Sequence, residues 1–344
     1  MNIHDFYFDL PSSLIAQTPS KVRGEDKLLV LDKKSGAFKD EMFSSLPNLL
    51  PKNAVLVFNN SKVRHARLFG KENCNQNASP IEFLLIKSLD GGMTWEMLSP
   101  KMKKLKIGSV FSFSEIINAK IIAGDKNNKL LQFEKTIDDV TLEKIGHVPL
   151  PPYIKREDNM EDATRYQNVY ASVMGSIACP TAGLHFTEDI IEKIKLKGID
   201  VCYITLHVGL GTFLPVREEK IEEHKMHRED FFISEEVSQL INEAKKQGRP
   251  IIACGTTSAR TLEAAWNKKE CRLESGNKST DIFIYPPYEF SVVDALITNF
   301  HTPESTLLML VSALCSREKI LCAYQHAIEK SYRFFSYGDA MLII

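Results

Sequence analysis

The stretch "TEDIIEKIKLKGIDVCYITL" (residues 187–206) decides the fold, because a helical pattern passes directly into a strand pattern. Thr187 is suited to cap a helix, acidic residues follow it in the first turn, and Gly198 is suited to end it. The apolar run 199–206 then has the length and composition of a buried strand. The stretch therefore predicts a helix followed by a strand.

The same alternation continues toward the end of the chain. Ser234 and Gly248 bound a second predicted helix, and Thr302 with Pro303 predicts the start of a later one. Further strands are predicted at 249–255, 280–286 and 292–300, another helix at 256–266, and early strands at 27–32 and 53–59. Such alternation is typical of an α/β layer.

The segment between these early strands and the alternating region has a different pattern. Short apolar runs at 81–86, 94–99, 109–113, 119–124 and 129–134 are separated by turn residues, which is typical of a small barrel or sandwich. Three prolines at 149, 151 and 152 follow it. We therefore predict an α/β (α+β) main domain made of residues 1–61 and 147–344, with an inserted small all-β barrel domain at 62–146.

Composition narrows the functional classes. The 344 residues are 44% hydrophobic and 25% charged, as in ordinary globular proteins. The chain shows no apolar run of about 18 residues and no signal peptide pattern, so we expect a cytoplasmic protein without membrane contact. Seven cysteines without a C-x-x-C pair argue against a disulfide scaffold or a common zinc site. With a net charge of −1, any nucleic-acid contact needs a local basic patch.

A strand-to-helix turn is the first candidate binding site. In "IIACGTTSAR" (251–260), free backbone N–H groups at Thr256 and Thr257 would favour an anion. Arg260 could add a bidentate contact to a carboxylate or phosphate. The alternative is an ordinary capped helix with a surface arginine.

Two segments place a histidine beside backbone with few side chains. "PTAGLHF" (180–186) holds Gly183 and His185, and "LHVGLGTFLPV" (206–216) holds His207. These histidines are candidates for proton transfer near neutral pH, and the alternative is that they only pack. Further candidates are His227 and His301, with Gly209, Gly211 and Thr212 as backbone around a ligand. A metal site at His224 and His227 lacks a convincing set of further ligands, so we predict none.

Polar residues in two other segments complete the candidates. "SKVRHARLFGK" (61–71) carries Lys62, Arg64 and Arg67, which could contact phosphates, and "KMKKLK" (101–106) is the second choice. In the near-terminal "YRFFSYGDAM", polar groups stand among apolar ones and need partners, namely Arg333, Tyr337 and Asp339.

These motifs together resemble a known enzyme family. The segments "LVFNNSKV", "GHVPLPPYI", "RYQNVYA", "PTAGLHF", "LHVGLGTFLPV", "GTTSARTLE", "VVDALITNFHTPESTLLMLVSA" and "YRFFSYGDAM" occur in the order typical of S-adenosylmethionine:tRNA ribosyltransferase-isomerases of queuosine biosynthesis. The resemblance implies an α/β body with an inserted barrel. It also implies transfer and isomerisation of the ribosyl part of S-adenosylmethionine onto 7-aminomethyl-7-deazaguanine at the tRNA wobble position, which yields epoxyqueuosine-tRNA, adenine and methionine.

The implied reaction gives the candidates their roles. S-adenosylmethionine would be a consumed co-substrate, no separate cofactor or metal is needed because the sulfonium withdraws electrons, and the tRNA anticodon loop is the partner. No obligate protein partner is evident. We assign proton transfer to His207, His185, His227 and His301, and tRNA contact to Lys62, Arg64 and Arg67. The predicted substrate-binding residues are Gly183, Gly209, Gly211, Thr212, Thr256, Thr257, Arg260, Arg333, Tyr337 and Asp339.

Two other classes of protein remain as alternatives. One is a non-catalytic tRNA-binding protein, and the other is an S-adenosylmethionine-dependent RNA methyltransferase. The segment "HVGLGTF" lacks the third glycine of a dinucleotide fingerprint, which weighs against the methyltransferase.

Overall fold

A computed structural model of the protein describes residues 1–73, 79–126, 128–209 and 218–344. Within these ranges the chain forms a nine-stranded mixed sheet and a closed barrel of six strands. The predicted α/β body with an inserted all-β barrel is therefore confirmed.

The elements are given in chain order. The strands are β1 (Lys27–Leu31), β2 (Phe38–Met42), β3 (Val55–Asn59), β4 (Ser61–Val63), β5 (Arg67–Glu72), β6 (Ile81–Ser88), β7 (Thr94–Leu98), β8 (Val110–Ser114), β9 (Ile117–Gly124), β10 (Lys129–Phe133), β11 (Val173–Ser176), β12 (Asp200–Leu206), β13 (Glu229–Ile233), β14 (Ile251–Cys254), β15 (Trp266–Asn267), β16 (Arg272–Leu273), β17 (Gly276–Thr280), β18 (Ala295–Asn299) and β19 (Ala340–Ile343). The α-helices are α1 (Leu46–Leu49), α2 (Asp139–Ile145), α3 (Met160–Arg165), α4 (Glu188–Leu196), α5 (Glu235–Lys246), α6 (Thr256–Ala265), α7 (Thr306–Cys315) and α8 (Arg317–Glu329). Short 3-10 helices include Met102–Lys104 and Thr181–His185.

The main sheet has the strand order β17-β13-β12-β3-β14-β18-β19-β1-β2. Strands β12, β3, β14 and β18 run parallel to their neighbours in that series, so their carboxyl ends meet at one edge. In open α/β sheets this is the edge where ligands bind. The edge is formed here by the residues that follow Asn59, Leu206, Cys254 and Asn299.

Helices cover both faces of the sheet because the central strands are apolar on both sides. Along β3, Val55 and Val57 pack into one core while Leu56 and Phe58 pack into the other. Helix α4 covers the second of these faces with its buried isoleucines. The first face is covered by α5, α6, α7 and α8.

The boundaries of α4 and α5 follow from the predicted caps. The side chains of Thr187 and Ser234 accept hydrogen bonds from backbone N–H groups of α4 and α5, which confirms both N-caps. Gly198 and Gly248 follow these helices with φ of 76° and 68°, in the left-handed region that favours glycine.

Two local predictions are wrong. Residues 281–286 form no strand, and β17 instead ends at Thr280. Helix α7 begins at Thr306, because the Ser305 hydroxyl caps it and Glu304 has a φ of 57° that breaks the helical path from Thr302.

The barrel is built from antiparallel neighbours in the order β10-β7-β6-β5-β8-β9. Its core is filled by aromatic and aliphatic side chains such as Phe83, Phe111 and Phe133. One end lies next to the main body, where Arg67 and His147 form an isolated bridge. The division at residues 62 and 146 stays a prediction; β4, at Ser61–Val63, pairs with β11 rather than with a barrel strand. Among the described residues, no helix combines the length and apolarity needed to cross a membrane.

Candidate functional site

A pocket lies at the carboxyl edge of the main sheet, where ligands are expected. Three segments form most of its wall: residues 178–182, the turn 255–257 that follows β14, and residues 298–302 at the end of β18. Tyr153 and Phe335 close another side, with ring centroids 4.8 Å apart. The space between these residues and the open solvent at its mouth together amount to about 680 Å³.

Two residues of the pocket wall each carry a buried polar atom without a protein partner. Thr257 and Asn299 are 6% and 3% exposed. Among the described residues, neither Thr257 Oγ1 nor Asn299 Oδ1 has a hydrogen-bond partner. Buried polar atoms without a protein partner are costly, so these two are candidates for hydrogen bonds with a ligand or with ordered water in the pocket.

The turn after β14 holds Thr256 and Thr257 at the start of α6. Gly255 precedes them with a φ of 87°, a conformation that side chains rarely adopt. The first residues of this ten-residue helix lie in the pocket wall, where their N–H groups suit an anion. Predicted residues Thr256 and Thr257 therefore line the pocket.

Arg260 lies behind the pocket wall rather than in it. Its Nη2 is 2.5 Å from Glu229 Oε2, and both side chains are almost fully buried. The backbone N–H of Gly209 donates to the other carboxylate oxygen of Glu229 at 3.2 Å. Arg260 thus forms a buried ion pair, and Gly209 is linked to it through Glu229.

His301 lines the pocket and is held in a neutral environment. Its Nε2 lies 3.0 Å from Thr298 Oγ1, and its backbone N–H donates to the Tyr324 hydroxyl. Burial lowers the pKa of His301 to about 3. The imidazole is therefore neutral near pH 7 and can exchange hydrogen bonds with a ligand without carrying charge.

His185 reaches the pocket only through Asn299. Its Nδ1 lies 2.7 Å from Asp26 Oδ2, and its Nε2 lies 3.1 Å from Asn299 Nδ2. Burial raises the pKa of Asp26, but the interaction with His185, aided by Arg333, outweighs it and leaves that pKa below its usual value. Neither ring nitrogen of His185 is free, so its contact with the pocket is indirect.

His207 lies at the same edge but outside this pocket. It lines a neighbouring depression with Asp230, and its Nδ1 is 2.8 Å from Ser61 Oγ. Ser61 in turn lies 2.6 Å from Ser176 Oγ, which accepts the N–H of Val208. Burial, followed by the charge of Arg64, lowers the pKa of His207. The neutral ring is thus available to accept a proton.

The remaining predicted residues are scattered. His227 is exposed on the segment before β13. Gly183 is packed so closely that a side chain there would collide with Tyr170 and Asn168. Near the end of the chain, the Tyr337 hydroxyl donates to Asp162, and Asp339 accepts the backbone N–H groups of Lys27 and Arg333. Gly211 and Thr212 lie outside the described residues.

The three basic residues assigned to tRNA each face a carboxylate. Arg64 Nε is 2.5 Å from Asp139 Oδ1, and its guanidinium lies over the Trp95 ring. Arg67 donates to Glu82 at 3.0 Å, and Lys62 is 3.6 Å from Glu143. Their positive charge is locally offset, and contact with RNA stays a prediction.

Sequence reasoning missed Asp26, Glu229 and Asn299. Asn299 had a readable signal, since Thr298 and Asn299 end an otherwise apolar strand. Asp26 and Glu229 had none, because each meets its partner only through the tertiary fold. No group of three or more metal-ligating side chains occurs among residues 1–73, 79–126, 128–209 and 218–344.

Fold and site together define an α/β protein with an inserted barrel and a polar, partly aromatic pocket at the carboxyl edge of its sheet. Residues 3–343 match the family described as "Queuosine biosynthesis protein". The chain belongs to this family, which confirms the resemblance seen in its motifs.

Relatives of similar length carry one name. S-adenosylmethionine:tRNA ribosyltransferase-isomerase of Treponema denticola is 57% identical over 346 residues, covering 99% of both chains. The protein of the same name from Clostridioides difficile is 45% identical and covers 100% of both chains. A solved structure of S-adenosylmethionine tRNA ribosyltransferase from Thermotoga maritima is 34% identical, with a TM-score of 0.56 and coverage of 99% of this chain and 100% of that one.

Proposed function

We propose that the protein is an S-adenosylmethionine:tRNA ribosyltransferase-isomerase that acts at the pocket on the carboxyl edge of the sheet. The full-length relatives of 57% and 45% identity bear that name. The reaction would move the ribosyl part of S-adenosylmethionine onto the aminomethyl group of 7-aminomethyl-7-deazaguanine in tRNA, with isomerisation, and release adenine and methionine.

The observation that carries the assignment of the pocket is its pair of unpartnered buried atoms, Thr257 Oγ1 and Asn299 Oδ1. S-adenosylmethionine offers donors and acceptors on its adenine, ribose and amino-acid groups that can satisfy both. Tyr153 and Phe335 supply apolar ring surface for the planar base. The helix start at Thr256 suits the methionine carboxylate.

The chemistry requires one group that removes a proton beside the sulfonium and one that protonates the departing adenine. Each such group contributes roughly 10²–10⁴-fold to the rate. His301 lies in the pocket and is neutral near pH 7, because burial lowers its pKa. His207 is also neutral by the lowering of its pKa and stands at the same edge, beside Ser61. We assign removal of the proton beside the sulfonium to one of these two neutral histidines, and the imidazolium formed in that step is the acid that returns the proton to the departing adenine.

His185 has a supporting role in this proposal. With Asp26 on one ring nitrogen and Asn299 on the other, it fixes the amide of Asn299, a residue that lines the pocket. The Asn299 amide is held further by its bond to the carbonyl of Phe335. His185 is therefore a positioning residue for the ligand contact.

The reaction is tested by product analysis. The protein is incubated with S-adenosylmethionine and tRNA that carries the aminomethyl-deazaguanine, with and without a chelator. Adenine and methionine should appear in equal amounts in both. Formation of S-adenosylhomocysteine would instead indicate a methyltransferase, and tRNA binding without methionine release would indicate a non-catalytic protein.

The pocket is tested by a pair of threonine variants in one helix. Thr257→Val removes the unpartnered hydroxyl, whereas Thr261→Val removes a hydroxyl bonded within α6 to the Thr257 carbonyl. Loss of one ligand hydrogen bond of about 0.5–1.5 kcal/mol should weaken S-adenosylmethionine binding about 2- to 12-fold in the first variant only. If calorimetric titration gives the same S-adenosylmethionine affinity for Thr257→Val and Thr261→Val, Thr257 does not contact the ligand.

A further inference from the structure

The end of the barrel farther from the main body carries a group of lysines. The loop between β7 and β8 crosses this end, and its residues alternate between core and solvent. Met102 and Leu105 are 7% and 4% exposed and close the barrel core. The lysines between and beside them point outward and are exposed: Lys101, Lys103, Lys104 and Lys106.

Two strand lysines lie on the same rim. Lys71, near the end of β5, is paired in register with Ser112 of β8. Lys120 of β9 is opposite Val110 at the start of β8. The loop is joined to both by backbone hydrogen bonds, from Gly108 to the Ile121 carbonyl at 2.8 Å and from Asn73 to the Val110 carbonyl at 3.0 Å. We call these six exposed side chains the distal rim: Lys71, Lys101, Lys103, Lys104, Lys106 and Lys120.

The distal rim differs in charge from the opposite end of the barrel. None of its lysines has a carboxylate partner within 4.0 Å among the described residues. The nearby Glu72 accepts the Ser109 hydroxyl at 3.0 Å instead. At the other end, Arg64 and Arg67 are paired with Asp139 and Glu82. A chain of net charge −1 thus concentrates uncompensated positive charge on one rim.

The position of the rim indicates the size of its partner. Strand β6 has eight residues of ~3.3 Å each and barrel strands are tilted by about 35–45° against the barrel axis, so the two ends of the barrel are about 20 Å apart. The opposite end contacts the body near His207, where Lys87 lies 3.8 Å from Asp230. A ligand that touches both the body and the rim must therefore be a long polyanion, and S-adenosylmethionine is too small.

We propose that the distal rim binds phosphates of a tRNA stem while the anticodon loop enters the active site. The proposal rests on the proposed function, since it takes tRNA as the substrate. A modified base must leave its stack to react, and phosphate contacts outside the loop hold the RNA in register during that step. The barrel thus contacts the stem at a fixed distance from the active site.

The test compares two fourfold variants of equal charge change. The rim variant is Lys101→Gln, Lys103→Gln, Lys104→Gln and Lys106→Gln. The control replaces four exposed lysines on the main body by glutamine: Lys52, Lys193, Lys195 and Lys246. Binding of full-length tRNA is measured by fluorescence anisotropy from 50 to 300 mM salt, and S-adenosylmethionine binding checks that each variant is folded.

The expected result is specific to the rim variant. Each lost phosphate contact makes the slope of log affinity against log salt shallower by about 0.7–0.9, so the loss of four contacts gives about three units. Affinity at low salt should fall about tenfold or more, with turnover at saturating tRNA unchanged. The control should behave as wild type in both respects.

Three outcomes would overturn the proposal or separate it from the proposed function. If the slope of log affinity against log salt is the same for the rim variant, the control variant and wild type, tRNA does not bind at the distal rim. Unchanged tRNA binding together with loss of binding to phosphatidylserine vesicles would reassign the rim to a lipid surface. If wild type releases no adenine from modified tRNA, the proposed reaction fails, yet the slopes still decide whether the rim binds RNA.

Discussion

His301 gives a prediction about acid stability that can be worked out from the structure. Its side chain is 8% exposed, and burial lowers its pKa from 6.5 to about 3. Below pH 6.5 the unfolded chain binds a proton that the folded histidine does not accept. The contribution of His301 to the free energy of unfolding is therefore fully present above pH 6.5 and is lost as the pH falls toward 3.

The expected size of this effect follows from the two pKa values. Between pH 6.5 and pH 5 the unfolded histidine gains its proton over 1.5 units, and each unit is worth 1.36 kcal/mol, so about 2 kcal/mol is lost. Carboxyl groups with the usual pKa near 3.8 contribute little in this range. This part of the loss should be absent in His301→Gln, which cannot titrate but can retain a contact with Thr298.

The assay is urea unfolding at pH 7.0 and 5.0 for wild type, His301→Gln and His227→Gln. The last variant replaces an exposed histidine and serves as the matched control. Wild type and His227→Gln should lose about 2 kcal/mol more than His301→Gln on acidification. Parallel losses in all three proteins would refute the claim that His301 is buried in its neutral form.

Three further predictions concern the other contacts of the site. His207→Ala should lower turnover about 100-fold or more with folding retained, and Ser61→Ala should cause a smaller loss because His207 Nδ1 loses its 2.8 Å partner. Steady-state kinetics measures turnover and thermal unfolding measures folding. If His207→Ala turns over at the wild-type rate, the histidine only packs. Glu229→Gln should lower the free energy of unfolding by about 3–5 kcal/mol, because Arg260 is left buried without its countercharge. In urea unfolding, Glu229→Gln combined with Arg260→Met should lose less stability than Glu229→Gln alone. A double variant as unstable as the single one would contradict this. In the double variant Arg64→Ala and Arg67→Ala, the slope of log tRNA affinity against log salt should become shallower by about one unit per lost phosphate contact. An unchanged slope with lower thermal stability would show that these arginines only stabilise the barrel through their ion pairs.

The sequence by itself determined the elements whose causes are local. Helix α4 begins at Thr187 and ends before Gly198 because capping and backbone freedom act within a few residues. The barrel could be separated from the α/β body for the same reason, since strand period and turn residues are local patterns. Likewise, the turn before α6 was identified as a binding site candidate from its own residues, Thr256 and Thr257.

Local signals were not sufficient at the start of α7, where two nearby residues are both suited to cap the helix. Thr302 followed by Pro303 fits the start of a helix, yet Ser305 is the residue that caps α7. Both choices satisfy the same short-range rule. The backbone turn at Glu304, whose N–H donates to the Phe6 carbonyl near the other end of the chain, goes with the later start.

Only the tertiary structure decided the partners of the candidate site. Asp26 meets His185 across 159 residues of sequence, and Asn299 meets His185 across 114. Glu229 pairs with Arg260 because β13 and α6 pack in one body. Charge compensation of Arg64 by Asp139 likewise depends on how the barrel closes. Hydrogen bonds and ion pairs act over a few ångströms of space, and sequence patterns report only neighbours along the chain, so these pairings could not be predicted before the chain was folded.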